Sequence, residues 1–179
     1  MNVKMINKHF DFHEKDISEG KYSAWELIQP LWYTVSIYDG LDVYHQDLKP
    51  FSDAQRKMLA LFWYDAEVCN GGHDQFFSNS TGIVWKDAIE GMHMIGADKS
   101  AENFQKAVDI FGGSIPFDRE DRNTALEKLY ENEEFDGFDQ IDMFYYDDEE
   151  EDIDQLMNNY VKLHASDFVV KGDYLYTES

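Results

Sequence analysis

Residues 52–82 read SDAQRKMLALFWYDAEVCNGGHDQFFSNSTG. Ser52 and Gln55 have the spacing of a capping box, in which each side chain satisfies the other residue's backbone N–H, so a helix starts here. From Met58 to Tyr64 the run is apolar almost all round, which fits a helix buried on every side. Asn70-Gly71-Gly72 then permits a left-handed stop and a sharp turn after Cys69. Gln75, Phe76 and Phe77 fill the short segment that follows, and Asn79, Ser80 and Thr81 can cap a further helix. A central helix of this kind needs others packed around it.

The flanking sequence supplies them. Upstream, Tyr22 to Tyr38 places Trp25, Ile28, Leu31 or Trp32, and Val35 on one stripe, with Pro30 as a kink and Asp39-Gly40 as the stop. Downstream, Trp85, Ala88, Ile89, Met92 and Ile95 lead to Gly96, and Ala101, Phe104, Ala107, Val108 and Phe111 lead to Gly112-Gly113, with Ser100 able to cap the second of these helices. Asp118 can cap a helix carrying Ala125, Leu126, Leu129 and Tyr130. A last helix near 150–164 buries Ile153, Leu156, Met157 and Tyr160. The expected fold is therefore all-α, a compact bundle of about six helices, with a short strand or hairpin possible between Phe168 and Tyr176.

Composition sets the outer bounds. The chain has 179 residues, 15 Lys and Arg, 37 Asp and Glu, and a formal charge of −22. Leu, Ile, Val and Phe together make up 25% of it, above the roughly 20% below which chains of high charge stay disordered. Length and aromatic content fit one domain over 1–179. Such acidity argues against direct contact with nucleic acid or an anionic membrane, both of which attract Lys and Arg. The single Cys69 excludes an internal disulfide, and Met1 to Asp16 carries His9, Asp11, His13 and Glu14 where a signal peptide needs an apolar stretch, so a cytoplasmic protein is expected.

The charge is concentrated in the acidic C-terminal third, 118–179. Between Leu129 and Val161 no Lys or Arg occurs, while Glu131, Glu133, Glu134, Asp136, Asp139, Asp142, Asp147, Asp148, Glu149, Glu150, Glu151, Asp152 and Asp154 supply thirteen acids. A few acids near a helix N-terminus favour its dipole, but six in a row exceed that need. The run is either a solvated face or a recognition surface. An EF-hand is excluded because its sixth-position Gly and twelfth-position Glu are missing, and no metal or cofactor is expected. Rows of carboxylates on helices resemble the charge pattern of a phosphate backbone, so a basic protein partner fits better.

Catalysis has little to build on. Cys69 and His73 are four apart, with Asp74 adjacent, but Gly71-Gly72 breaks the helix that would bring thiol and imidazole together. His9 and His13 stand in a segment expected to be mobile, and His93 has Glu90 as its nearest partner by helical spacing. Phosphate-binding glycine loops and the Gly-x-Ser-x-Gly turn are missing from the sequence.

The sequence EVCNGGHDQFFSNSTG at 67–82 is similar to bacterial DNA-mimic proteins. In that family Glu-Val, one or two polar residues, Gly-Gly, an aromatic, then Gln-Phe-Phe, Asn-Ser and Gly recur. The structural motif comprises Asn70, Gly71, Gly72, Gln75, Phe76, Phe77, Asn79 and Ser80. Ile37-Tyr38-Asp39-Gly40, Ala88-Ile89-Glu90-Gly91, Ile95-Gly96-Ala97 and Phe111-Gly112 extend the likeness over about 25–122. His73 and Cys69 depart from the family pattern, standing where an aromatic and a polar residue are usual. The resemblance implies an all-α homodimer without enzymatic activity, whose acidic surface occupies the DNA-binding face of a transcription factor. An immunity protein against a basic nuclease is the alternative within the same electrostatic logic.

Overall fold

A computed structural model of the chain describes residues 4–147 and 151–178. Strand β1 (Lys4–Phe12) leads through α1 (Glu14–Ser18) into α2 (Ala24–Trp32), α3 (Leu41–Leu48) and the long α4 (Asp53–Ser78). A 3₁₀ turn (Ser80–Val84) joins α4 to α5 (Trp85–Ile95), followed by α6 (Asp98–Ile110), α7 (Arg119–Tyr130), α8 (Asp139–Asp147) and α9 (Ile153–Leu163). A second 3₁₀ turn (Ala165–Phe168) leads to β2 (Val170–Glu178), which pairs antiparallel with β1, placing Phe12 opposite Val170 and Lys4 opposite Glu178.

The capping box at Ser52 and Gln55 forms as expected. Met58 to Leu61, Tyr64, Val68, Phe76 and Phe77 are buried, so α4 is the axis around which the molecule packs. Its helical path breaks where the sequence indicates, at Gly71 and Gly72, and Gly72 adopts φ +70°. Gly96 ends α5 in the left-handed conformation, and Asp118 caps α7 by accepting the Glu120 and Asp121 amides at 2.9 and 3.0 Å.

Three helices and one strand add to the sequence-based picture. Helix α1 is a single turn. Helix α3 buries only Tyr44 and Leu48, too thin a stripe to stand out in the sequence. Helix α8 lies within the acidic stretch, where carboxylates mask the apolar positions Ile141 and Tyr145. The N-terminal segment forms β1, and it buries Phe10 and Phe12. Its period-two alternation is carried by Ile6, Lys8, Phe10 and Phe12, with Asn7, His9 and Asp11 between them. The mainly helical fold thus includes a two-stranded sheet built from both ends of the described chain, in which the expected C-terminal strand pairs with β1.

Candidate functional site

The glycine-rich motif is organised by Glu67. Its carboxylate accepts from Gln75 Nε2 at 2.6 Å and from Asn79 Nδ2 and Thr81 Oγ1 at 3.0 Å. Asn79 and Thr81 therefore tie the turn back to α4; the Asn79 side chain does not cap the turn that follows. Asn70 donates to Gln75 Oε1 at 3.0 Å. These contacts support the reading of the motif as a packed interhelical turn.

Arg122 locks the far side of the turn. Its fully buried guanidinium donates through Nε to the Phe77 carbonyl at 2.6 Å, through Nη2 to Asn79 O at 2.6 Å, and through Nη1 to Pro116 O and Phe117 O at 3.0 and 2.9 Å. Burial presses its pKa down to about 10, so it remains charged at neutral pH. Gly82 leaves room for it: a Cβ there would meet Arg122 Nε at 2.5 Å. Nothing in the sequence sets Arg122 apart from the other charged residues in the first turns of α7.

His73 occupies the break in α4 with no solvent exposure. Nδ1 is hydrogen-bonded to Asp142, Nε2 lies 2.9 Å from the Tyr64 hydroxyl, and the His73 backbone N–H donates to Asp142 Oδ1 at 3.0 Å. The Asp142 carboxylate lies where a Cβ on Gly72 would stand. Among the thirteen acids, Asp142 of α8 is thus anchored on the Gly72-His73 turn of the motif. Close by, the Tyr145 hydroxyl donates to Asp65, and burial raises its pKa above the ordinary phenol range.

The structure divides the thirteen acids into different environments. Glu131, Glu133, Glu134, Asp136 and Asp139 are exposed between the end of α7 and the start of α8. Asp142 serves as an internal anchor. Glu151 accepts from the Lys99 and Ser100 amides at 3.0 and 2.8 Å and from Ser100 Oγ at 2.7 Å, so it caps α6 in the role expected of Ser100. Asp152 caps α9 by accepting the Gln155 amide at 2.9 Å. Asp154 is exposed, and its pKa is raised by partial burial and by the nearby charges of Asp65 and Asp152. Asp147 ends α8, and Asp148, Glu149 and Glu150 lie outside the described residues. Among the described residues, no group of three or more His, Cys, Asp or Glu is arranged to hold a metal ion.

The thiol and imidazole that an enzyme reading would join turn to different partners. Cys69 Sγ donates to Asp65 at 3.5 Å, and burial together with the Asp65 charge pushes its pKa up to about 11. That opposes the thiolate a nucleophile requires. His93 contacts Asp98 at 2.8 Å instead of Glu90, and His9 contacts Asp173 across the sheet at 2.9 Å.

With this geometry in view, the family model described as DMP19-like protein matches residues 49–164. The chain belongs to the DMP19-like family. This is a family of DNA-mimic proteins. The match starts just before α4 and runs through α9, so it takes in Glu131 to Asp154 and leaves out α2, where the sequence resemblance over 25–122 began. The motif and the thirteen acids from Glu131 to Asp154 fall within one family segment, consistent with the contact at Asp142. Neither curated proteins nor solved structures yield a match to the chain.

Proposed function

We propose that this DMP19-like protein is a cytoplasmic interaction protein that places an acidic face on the DNA-binding surface of a basic protein, such as a transcription regulator, and so competes with DNA. The supporting observation is the exposed set Glu131, Glu133, Glu134, Asp136 and Asp139, carried by a segment that Asp142 fastens to the buried turn of the family motif. Carboxylates held at fixed spacing attract a basic surface without rearranging, which limits the entropy lost on binding. The homodimer implied by the family resemblance is part of the proposal, as is the absence of an enzymatic role.

The test is capture of partners on the immobilised protein, followed by elution with duplex DNA. A DNA-binding protein should be retained at low ionic strength, displaced by DNA, and missed by a variant with Glu133→Gln, Glu134→Gln, Asp136→Asn and Asp139→Asn. Retention that is indifferent to both salt and DNA would overturn the proposal, because exposed charge pairs are screened beyond about 8 to 10 Å at 0.1 to 0.15 M salt. Light scattering of the purified protein decides between dimer and monomer.

A further inference from the structure

An open groove of about 900 Å³ runs between the second segment of α4 and helix α7. Asp74 and Gln75 line one wall; Leu126, Glu127, Tyr130 and Glu131 line the other. None of the lining residues is Lys or Arg, and Glu127 and Glu131 are exposed.

The groove also has an apolar surface of definite position. Tyr130 is 50% exposed, unusual for an aromatic side chain. Its hydroxyl donates to Asp74 with 2.6 Å to each carboxylate oxygen, and the ring meets Phe135 at 5.0 Å, tilted by 63°. Phe135 in turn packs on buried Phe138 at 5.3 Å. The side chain is thus tethered at its hydroxyl and packed on Phe135 while the residue stays half exposed. A rigid aromatic in a groove walled by carboxylates is complementary to a planar cation: guanidinium can lie on the ring while its N–H groups reach acidic oxygens. A lysine ammonium supplies charge without the plane or the fork.

We propose that this groove receives an arginine side chain from the basic partner, with Tyr130 as the stacking surface and Glu127 and Glu131 as acceptors. The inference rests on the function proposed above and names a feature of the partner that bulk acidity does not: arginine in preference to lysine. It also enlarges the contact surface beyond the sequence-based set by adding Asp74, Glu127 and Tyr130.

The test is a titration of ¹⁵N-labelled protein with a tetra-arginine peptide and, separately, a tetra-lysine peptide at low salt. The arginine peptide should bind about 5-fold more tightly, with shift changes centred on Asp74 and on 126–131. Tyr130→Ala should reduce the preference to less than about 2-fold, and Tyr130→Phe, which keeps the ring, should preserve it. The Phe variant, together with thermal unfolding of both variants, separates loss of the stacking surface from loss of fold. Equal affinities for the two peptides, with shifts spread over Glu133 to Asp139, would overturn the groove assignment and leave the acidic-face function standing. Failure of both peptides to bind at low salt would count against both the groove and the acidic-face function.

Discussion

Asp142 provides the sharpest separation between an acid that builds the fold and the acids of the proposed partner-binding face. Its carboxylate accepts from the His73 backbone N–H and is hydrogen-bonded to Nδ1, on a residue with no solvent exposure. In Asp142→Ala both His73 groups lose their acceptor in a largely buried setting. A hydrogen bond to a charged group contributes about 1.5 to 3 kcal/mol and an orphaned buried amide costs about 1 to 3, so the expected loss is about 3 to 5 kcal/mol. Against a typical native stability of about 5 to 15 kcal/mol this is a large fraction.

Urea unfolding followed by far-UV circular dichroism measures it. With a slope of about 2 kcal/mol per M, the midpoint should fall by about 1.5 to 2.5 M. Asp142→Asn keeps one acceptor oxygen and should lose about 1 to 2 kcal/mol. A double-mutant cycle with His73→Phe isolates the side-chain pair, and a coupling of at least about 1 kcal/mol is expected. If Asp142→Ala shifts the midpoint by less than about 0.3 M, the carboxylate is no anchor and the tie between motif and acidic third is refuted. The fourfold neutralised variant at Glu133, Glu134, Asp136 and Asp139 should do the opposite, abolishing partner capture while leaving the midpoint within about 0.5 M or raising it through reduced self-repulsion.

Arg122→Met removes the guanidinium that four carbonyls, of Phe77, Asn79, Pro116 and Phe117, accept from, and should unfold the protein or lower its thermal midpoint by more than 10 °C in calorimetry; an unchanged midpoint would contradict the role given to the guanidinium. Gly82→Ala should be destabilising by about 1 to 3 kcal/mol in the same measurement, because its methyl group enters the space of Arg122 Nε, and neutrality would mean the turn relaxes freely. Cys69, with its pKa pushed to about 11, should alkylate with iodoacetamide slowly at neutral pH and accelerate with pH until well past 9; a rate plateau near pH 8 would refute the assigned surroundings. Burial raises the pKa of Asp87 despite Arg56 and the Tyr44 hydroxyl, so its ionised form costs stability above the folded-state pKa and that cost fades as pH falls through it. Asp87→Asn should therefore gain relative to wild type at pH 7 and lose that advantage towards pH 4, and a gain that grows on acidification would reverse the sign.

The axis of the fold was legible because α4 combines a capping box, an uninterrupted apolar run and a glycine pair, three local signals that agree. Helices α1, α3 and α8 were not, since one turn, a two-residue stripe and an acid-masked stripe each fall below what periodicity can resolve. Strand β1 was hidden for another reason: its partner is more than 150 residues away in sequence, and a strand beside no turn carries no hairpin signal. At the candidate site, composition found the acids and could not rank them. The roles of Asp142 and Glu151 come from long-range contacts with His73 and Ser100, which no spacing within the acidic stretch encodes, whereas Asp152 caps α9 through a local contact with Gln155 three residues on.

That division bears on how so acidic a stretch folds. Like charges a few ångströms apart repel, and a helix such as α8, which carries Asp139, Asp142 and Asp147, gains little from propensity to offset this. The acids used internally supply the compensation: Asp142 secures α8 to α4, Glu151 secures the following segment to the start of α6, and Asp152 begins α9. Each places negative charge against backbone N–H groups, where it is favourable. With those ties made, Glu131, Glu133, Glu134, Asp136 and Asp139 stay exposed on the adjoining segment. A mimic of a stiff polyanion needs this arrangement, because carboxylates on a loose chain would have to lose conformational entropy on every encounter with a partner. Under the function proposed above, the ties to α4 and α6 stiffen the acidic face, so loosening the Asp142 anchor should weaken partner binding even though the Asp142 side chain is mostly buried.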